Sequence, residues 1–173
     1  MIQDSDQWFR ISNPDEINSP ALLVYPERIV ENIERMIASV KDKSLLWSHV
    51  KTHKMPEIVR LMIKHGITRF KCATIAEAEM SAGCGPDEIL LAYQPVGPNI
   101  RRFFELQEKY SGSSFSCLLD NEEVAARLSE MSVASGIPAR VWIDINNGMN
   151  RTGIAPGPKA VQLFRSLKSL PGI

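Results

Sequence analysis

Short β-rich runs at residues 45–50, 69–73, 88–93, 115–119 and 140–145 alternate along the chain with longer amphipathic stretches. The runs show little in-and-out alternation, as expected of strands in a parallel sheet that is covered on both faces. Their starts fall about 19–27 residues apart, room for one strand and one helix each. Punctuation supports the same division. Pro56 sits at a first helical position, and Ile58, Leu61 and Met62 recur before Gly66. Thr74 followed by Glu77 has the form of a capping box, in a helix closing near Gly83. Gly97 and Pro98 open a helix over 99–110. The run 120–123 caps another over 124–134 that stops at Gly136, and Pro158 opens a last one through Leu167. Ahead of these units the pattern predicts a short strand at 21–25 and a helix from Pro26 to about Lys41. Ile29, Ile33, Met36, Ile37 and Val40 form that helix's apolar stripe.

Five βα units in 173 residues fit two architectures. One is an open, flavodoxin-like sheet; the other is part of a (β/α)8 barrel, which needs eight strands. The chain stops at Ile173, just after a helix, so an open sheet would leave an apolar edge unpaired.

Composition narrows the function classes. Hydrophobic residues make up 44% and charged residues 23%, a balance that excludes intrinsic disorder. Lys+Arg and Asp+Glu stand at 20 each, so there is no basic excess for nucleic acid or an anionic membrane surface. Cys72, Cys84 and Cys117 are widely spaced and odd in number, and the expectation is free thiols in the cytoplasm. The acidic N-terminus lacks the pattern of a secretory leader, and no apolar run approaches the ~18 residues of a membrane helix. The expected partner is a small molecule.

In parallel α/β folds the chemistry gathers at the carboxyl ends of the strands. Alternation along 45–51 points Trp47, His49 and Lys51 to one face. A lysine facing a barrel interior at a strand tip would be desolvated, which favours the neutral amine that Schiff-base chemistry uses. Alternatively, Lys51 is a solvated lysine of a βα loop. His49 and His53 have the spacing of a helical metal pair, but the segment reads as strand and loop, without a third ligand. After the fifth strand, residues 144–153 form a long polar loop in which Gly148 and Gly153 permit unusual backbone angles. Arg151 there supplies a forked cationic donor. The plain alternative is a turn with Asn146 and Asn147 left-handed and Arg151 paired to a surface acid. Gln94, after the third strand, could hydrogen-bond at the barrel mouth. No glycine-rich nucleotide loop, P-loop or nucleophile elbow is present.

Taken in order, five segments resemble the fold-type III family of pyridoxal-phosphate (PLP) enzymes, the alanine racemase N-terminal-domain-like group. Within it, the resemblance is to the D-threonine aldolase and D-serine dehydratase branch. The segments are Ser19-Pro20-Ala21-Leu22-Leu23-Val24-Tyr25 with Glu31-Asn32-Ile33-Glu34-Arg35-Met36, then His49-Val50-Lys51-Thr52-His53-Lys54. Cys72-Ala73-Thr74-Ile75-Ala76-Glu77-Ala78-Glu79, Gln94-Pro95-Val96-Gly97-Pro98 and Gly148-Met149-Asn150-Arg151-Thr152-Gly153 follow. The resemblance runs over about 19–173. It implies residues 1–20 as a lead-in and 21–173 as the N-terminal part of a PLP-binding barrel, with the strand at 21–25 belonging to a second, β domain. Lys51 would carry PLP as a Schiff base, Arg151 would bond the cofactor's phenolic oxygen, and His49 and Gln94 would flank the ring. Thr74 and Glu77 are kept as structural.

The activity implied is that of an amino-acid lyase on D-3-hydroxy amino acids, in a homodimer. The alternatives are an amino-acid racemase, a non-catalytic PLP-binding barrel, or an open α/β module without PLP. The family's phosphate loop and the divalent-metal ligands of this branch lie in segments this chain lacks, so 173 residues alone are expected to be weakly active or inactive.

Overall fold

Residues 8–173 are described by a computed structural model. The strands are β1 (Ser48–His49), β2 (Arg69–Cys72), β3 (Glu88–Leu91), β4 (Ser114–Leu119) and β5 (Arg140–Ile143). The helices are α1 (Pro26–Ala38), α2 (Pro56–Lys64), α3 (Ile75–Ala82), α4 (Pro98–Lys109), α5 (Glu122–Ser135) and α6 (Pro158–Ser169). All strand pairs are parallel, and the sheet order is that of the sequence, β1-β2-β3-β4-β5. A doubly wound sheet reverses direction at a switch point; this one never does. It is a five-unit part of a (β/α)8-type barrel. A flat sheet would also hold the outer strands about 19 Å apart, yet Trp47, beside β1, and Trp142 of β5 meet edge-to-face at 6.1 Å. The sheet is therefore strongly curled.

The register sorts side chains into two faces. Phe70 and Cys72 of β2, Ile89 and Leu91 of β3, and Phe115, Cys117 and Leu119 of β4 are buried towards the helices. They pack with Phe103, Phe104 and Leu128 in one core. The opposite, concave face carries Arg69, Lys71, Glu88, Ser116 and Trp142. Helix caps follow the sequence signals. The Thr74 hydroxyl accepts the Glu77 N–H at 3.1 Å, the Asn121 side chain accepts that of Val124 at 3.0 Å, and Gly136 ends α5 with φ 71°.

Two expectations change. No strand forms at 21–25: this segment has no strand beside it among the described residues, and Leu22 is 76% exposed. A strand exists only through its partner, which local pattern cannot supply. The first barrel strand is also only two residues long, flanked by 3-10 turns at Lys43–Leu45 and Val50–Thr52. The second turn sets where Lys51 points.

Two phenylalanines test the layering. Phe70→Ala, at a fully buried position, should lower the unfolding free energy by about 3–5 kcal/mol in urea. Phe164→Ala, 55% exposed on α6, should stay within about 0.5 kcal/mol of the unaltered chain.

Candidate active site

The concave face has a closed floor and an open rim. At the floor, Glu88 receives the Arg69 guanidinium at 2.8 Å and that of Arg140 at 3.4 Å. Arg69 also donates to the Ser44 carbonyl at 2.7 Å, and Arg140 to the Ser114 hydroxyl. Above them the Trp142 indole donates to the Ser116 hydroxyl at 3.1 Å, and Trp47 stacks between Trp142 and the Arg69 guanidinium. The two guanidiniums of the floor share the one carboxylate of Glu88. The carboxyl ends of all five strands open on the other side of it.

Lys51 stands at that rim, in the turn Val50–Thr52. The turn is fixed by the fully buried Val50, whose carbonyl accepts the N–H of Lys54 at 2.8 Å and that of His53 at 3.2 Å. The His49 Nδ1 accepts the Lys51 N–H at 3.3 Å. The expected desolvation of Lys51 is not found: the side chain is exposed, and its ammonium has no ion pair or hydrogen bond among the described residues. Five strands leave the concave face open, and the turn carries Lys51 out onto the rim.

His49 is held below the ordinary imidazole pKa by burial, then by the charges of Lys51 and Lys71. Burial likewise lowers His53, whose Nδ1 accepts the Met55 N–H at 3.1 Å and whose Nε2 is buried without a partner. Each histidine thus commits Nδ1 to its own loop. No group of three or more His, Cys, Asp or Glu suited to a metal occurs among the described residues.

Gln94 is engaged by the neighbouring loop. Its side-chain oxygen accepts the Asp120 N–H at 2.9 Å and the Asn121 amide at 3.2 Å. Asp120 in turn accepts the Gly153 N–H at 3.2 Å. One chain of bonds therefore ties the loops after β3, β4 and β5 around a cavity of about 130 Å3 lined by Tyr93, Gln94, Asp120, Asp144 and Thr152. The Gln94 amide nitrogen remains available there.

The loop carrying Arg151 is a structured module. Asn146 Oδ1 accepts the N–H groups of Gly148 (3.0 Å) and Asn150 (3.1 Å), while Asn146 N–H and Ile154 N–H close its base at 2.9 Å each. Positive φ falls on Asn150 (55°), Gly148 and Gly153, not on Asn146 or Asn147. A Cβ on Gly153 would lie 2.7 Å from the Asn146 nitrogen, so only glycine fits. Arg151 is exposed, and no acid pairs with it among the described residues.

Two contributors to the concave face and its rim are not singled out as site residues from the sequence. Glu77 does more than cap α3. It is 4% exposed, receives the Lys54 ammonium at 2.5 Å and accepts the Ala73 N–H at 2.7 Å. It thereby joins the Lys51 turn to the end of β2, in a contact spanning 23 residues. Lys71 is the other, half-buried on the concave face opposite His49 in register. The Arg69/Lys71 alternation against Phe70 and Cys72 could have revealed it. All three cysteines are free, and burial pushes the Cys72 and Cys117 thiols up to about 12, so neither is a nucleophile near neutral pH.

The family model for the alanine racemase N-terminal domain matches residues 24–173, and the chain belongs to that family. Its similarity to solved structures includes a D-threonine aldolase from Filomicrobium marinum, with a TM-score of 0.82 and 27% identity. That match covers 91% of this chain and 42% of the other. In sequence it is 24% identical to D-threo-3-hydroxyaspartate dehydratase of Delftia sp. strain HT23, over 80% of this chain and 36% of the relative. It is also 24% identical to 3-hydroxy-D-aspartate aldolase of Paracoccus denitrificans, over 91% and 41% respectively. The chain spans about two-fifths of the length of these relatives.

Burial alone would raise the Glu77 carboxyl, but the bonds from Lys54 and Ala73 outweigh it, and its pKa lies below the ordinary 4.5. A carboxylate depressed by folding stabilises above its unfolded value, and that contribution disappears as pH falls through the folded one. Glu77→Gln should therefore cost about 1–2 kcal/mol at neutral pH. The cost should shrink below about pH 4.5 when melting temperatures are compared across an acid series.

Proposed function

We propose that this chain is the cofactor-anchoring part of a PLP-dependent amino-acid lyase, with Lys51 as the anchoring amine and D-3-hydroxy amino acids as substrates. The observation that carries the reading is Lys51 itself. It is a lysine with no counter-ion among the described residues, on a braced turn at the carboxyl end of the first barrel strand. An ion pair would hold the ammonium form and leave less free amine to condense with an aldehyde.

The residues present suit the aldehyde and ring side of PLP. An unpaired amine on the β1 turn and an unpaired guanidinium on the β5 loop stand at one rim, on outer strands that the curl of the sheet brings together. Once bound, PLP draws electrons from a bond to the substrate's α-carbon. Lys51 holds the cofactor and, in its free form, is a base at that rim. Arg151 is suited to a phenolate oxygen, since its forked, permanently charged donor holds an anionic oxygen without giving up a proton. His49 accepts the Lys51 N–H and keeps the turn in place. Gln94, which lines the small cavity among the loops after β3, β4 and β5, would offer its amide nitrogen to the cofactor.

The substrate class rests on similarity to enzymes named for 3-hydroxyaspartate and D-threonine. Residues 1–20 are assigned as a lead-in and 21–173 as the N-terminal part of the PLP barrel. A homodimer in the cytoplasm completes the reading. The free thiols fit a reducing compartment, and no helix among the described residues is long and apolar enough to cross a membrane.

Borohydride reduction of the PLP-treated chain, followed by peptide mass spectrometry, tests the anchor. The cofactor should be fixed on the peptide containing Lys51 and absent from Lys51→Ala. Labelling that persists in Lys51→Ala, or none in the unaltered chain, would overturn the assignment. Arg151→Leu should weaken PLP binding by roughly tenfold, the value of one charge-assisted bond.

A further inference from the structure

One cation on the concave face has no task in the scheme above. Lys71 lies one residue before the end of β2, on the side opposite the buried Phe70 and Cys72, and pairs in register with His49. Apart from Lys51, the other cations around it have acidic partners. Glu88 takes Arg69 and Arg140 at the floor, and Glu77 takes Lys54 at the rim. The Ser116 hydroxyl, on the same face, is engaged by Trp142. Among the described residues the Lys71 ammonium has neither an ion pair nor a hydrogen bond. A half-buried lysine whose ammonium donors are unspent can receive an anionic oxygen brought by a ligand.

Its neighbourhood indicates which oxygen. Lys71 pairs in register with His49, whose Nδ1 accepts the Lys51 N–H at 3.3 Å, so Lys71 and Lys51 are both immediate neighbours of one residue. An anion on Lys71 is therefore close to whatever is bound at Lys51. An α-amino acid carries its carboxylate two bonds from the nitrogen that must reach that point. The cofactor's phosphate is several bonds further from the carbon that Lys51 holds. Building on the PLP reading above, we propose that Lys71 is a substrate-binding residue that receives the carboxylate of the amino acid.

Glycine and methylamine share an amine and differ in the carboxylate, which makes them the probes. Both would be titrated into the PLP-loaded chain and their equilibrium affinities read by difference absorbance. Lys71→Met should weaken glycine by roughly 10–100-fold and leave methylamine within about twofold. Lys71→Arg, which keeps the charge, should restore most of the glycine affinity. Equal loss for both probes would mark Lys71 as merely structural, and no loss for either would remove it from the site. Weaker binding of PLP but not of pyridoxal would assign it to the phosphate instead. Each of these results overturns the proposal. Borohydride trapping at Lys51 in Lys71→Met separates the two levels. Retained trapping with unchanged glycine affinity refutes Lys71 alone, whereas an unaltered chain that traps no cofactor refutes the anchor and the proposal together.

Discussion

The pairing of Ser48 with Phe70 and of His49 with Lys71 sets the sense of the whole site. In a pleated sheet a slip of one residue turns every side chain to the other face. Such a slip of β1 would bury His49 among the helices and expose Val50. What holds the register is the asymmetry between faces. Val50, Phe70 and Cys72 are fully buried on one side, while Arg69 and Lys71 project from the other. Hydrophobic burial thus fixes the position of the polar groups without touching them. The two-residue β1 has little ladder of its own, so this anchoring matters most beneath Lys51.

The rim is then braced by hydrogen bonds that run from loop to loop. Glu77 joins the exits of β1 and β2, and Gln94 and Asp120 join those of β3, β4 and β5. Buried or half-buried acceptors serve these bonds, and in a low-dielectric setting such contacts hold geometry more firmly than exposed ion pairs do. The Lys51 side chain itself is left out of the bracing, because only its backbone is held.

Much of this was legible in the sequence where the physics is local. The βα period, the caps at Thr74 and Asn121 and the stop at Gly136 each depend on residues within one turn, and each stands as read. The sequential strand order then decides for the barrel over the flavodoxin-like alternative. The failures are non-local. A strand at 21–25 needs a partner that no periodicity announces. The exposure of Lys51 depends on whether the concave face is covered, not on its own neighbours. Lys54 meets Glu77 across 23 residues, and Gln94 meets Asn121 across 27, distances at which spacing carries no signal.

The loop after β5 has a consequence for variation in this protein. Its base is a closed clasp, in which Ile145 bridges Ile154, Asn146 seals the neck and Gly153 admits no side chain. Outside that clasp Asn147, Met149, Arg151 and Thr152 are exposed, and Met149 is 73% so. The tip therefore behaves as an interchangeable cassette. Its side chains can be exchanged while the barrel beneath stays undisturbed, provided the clasp residues are kept.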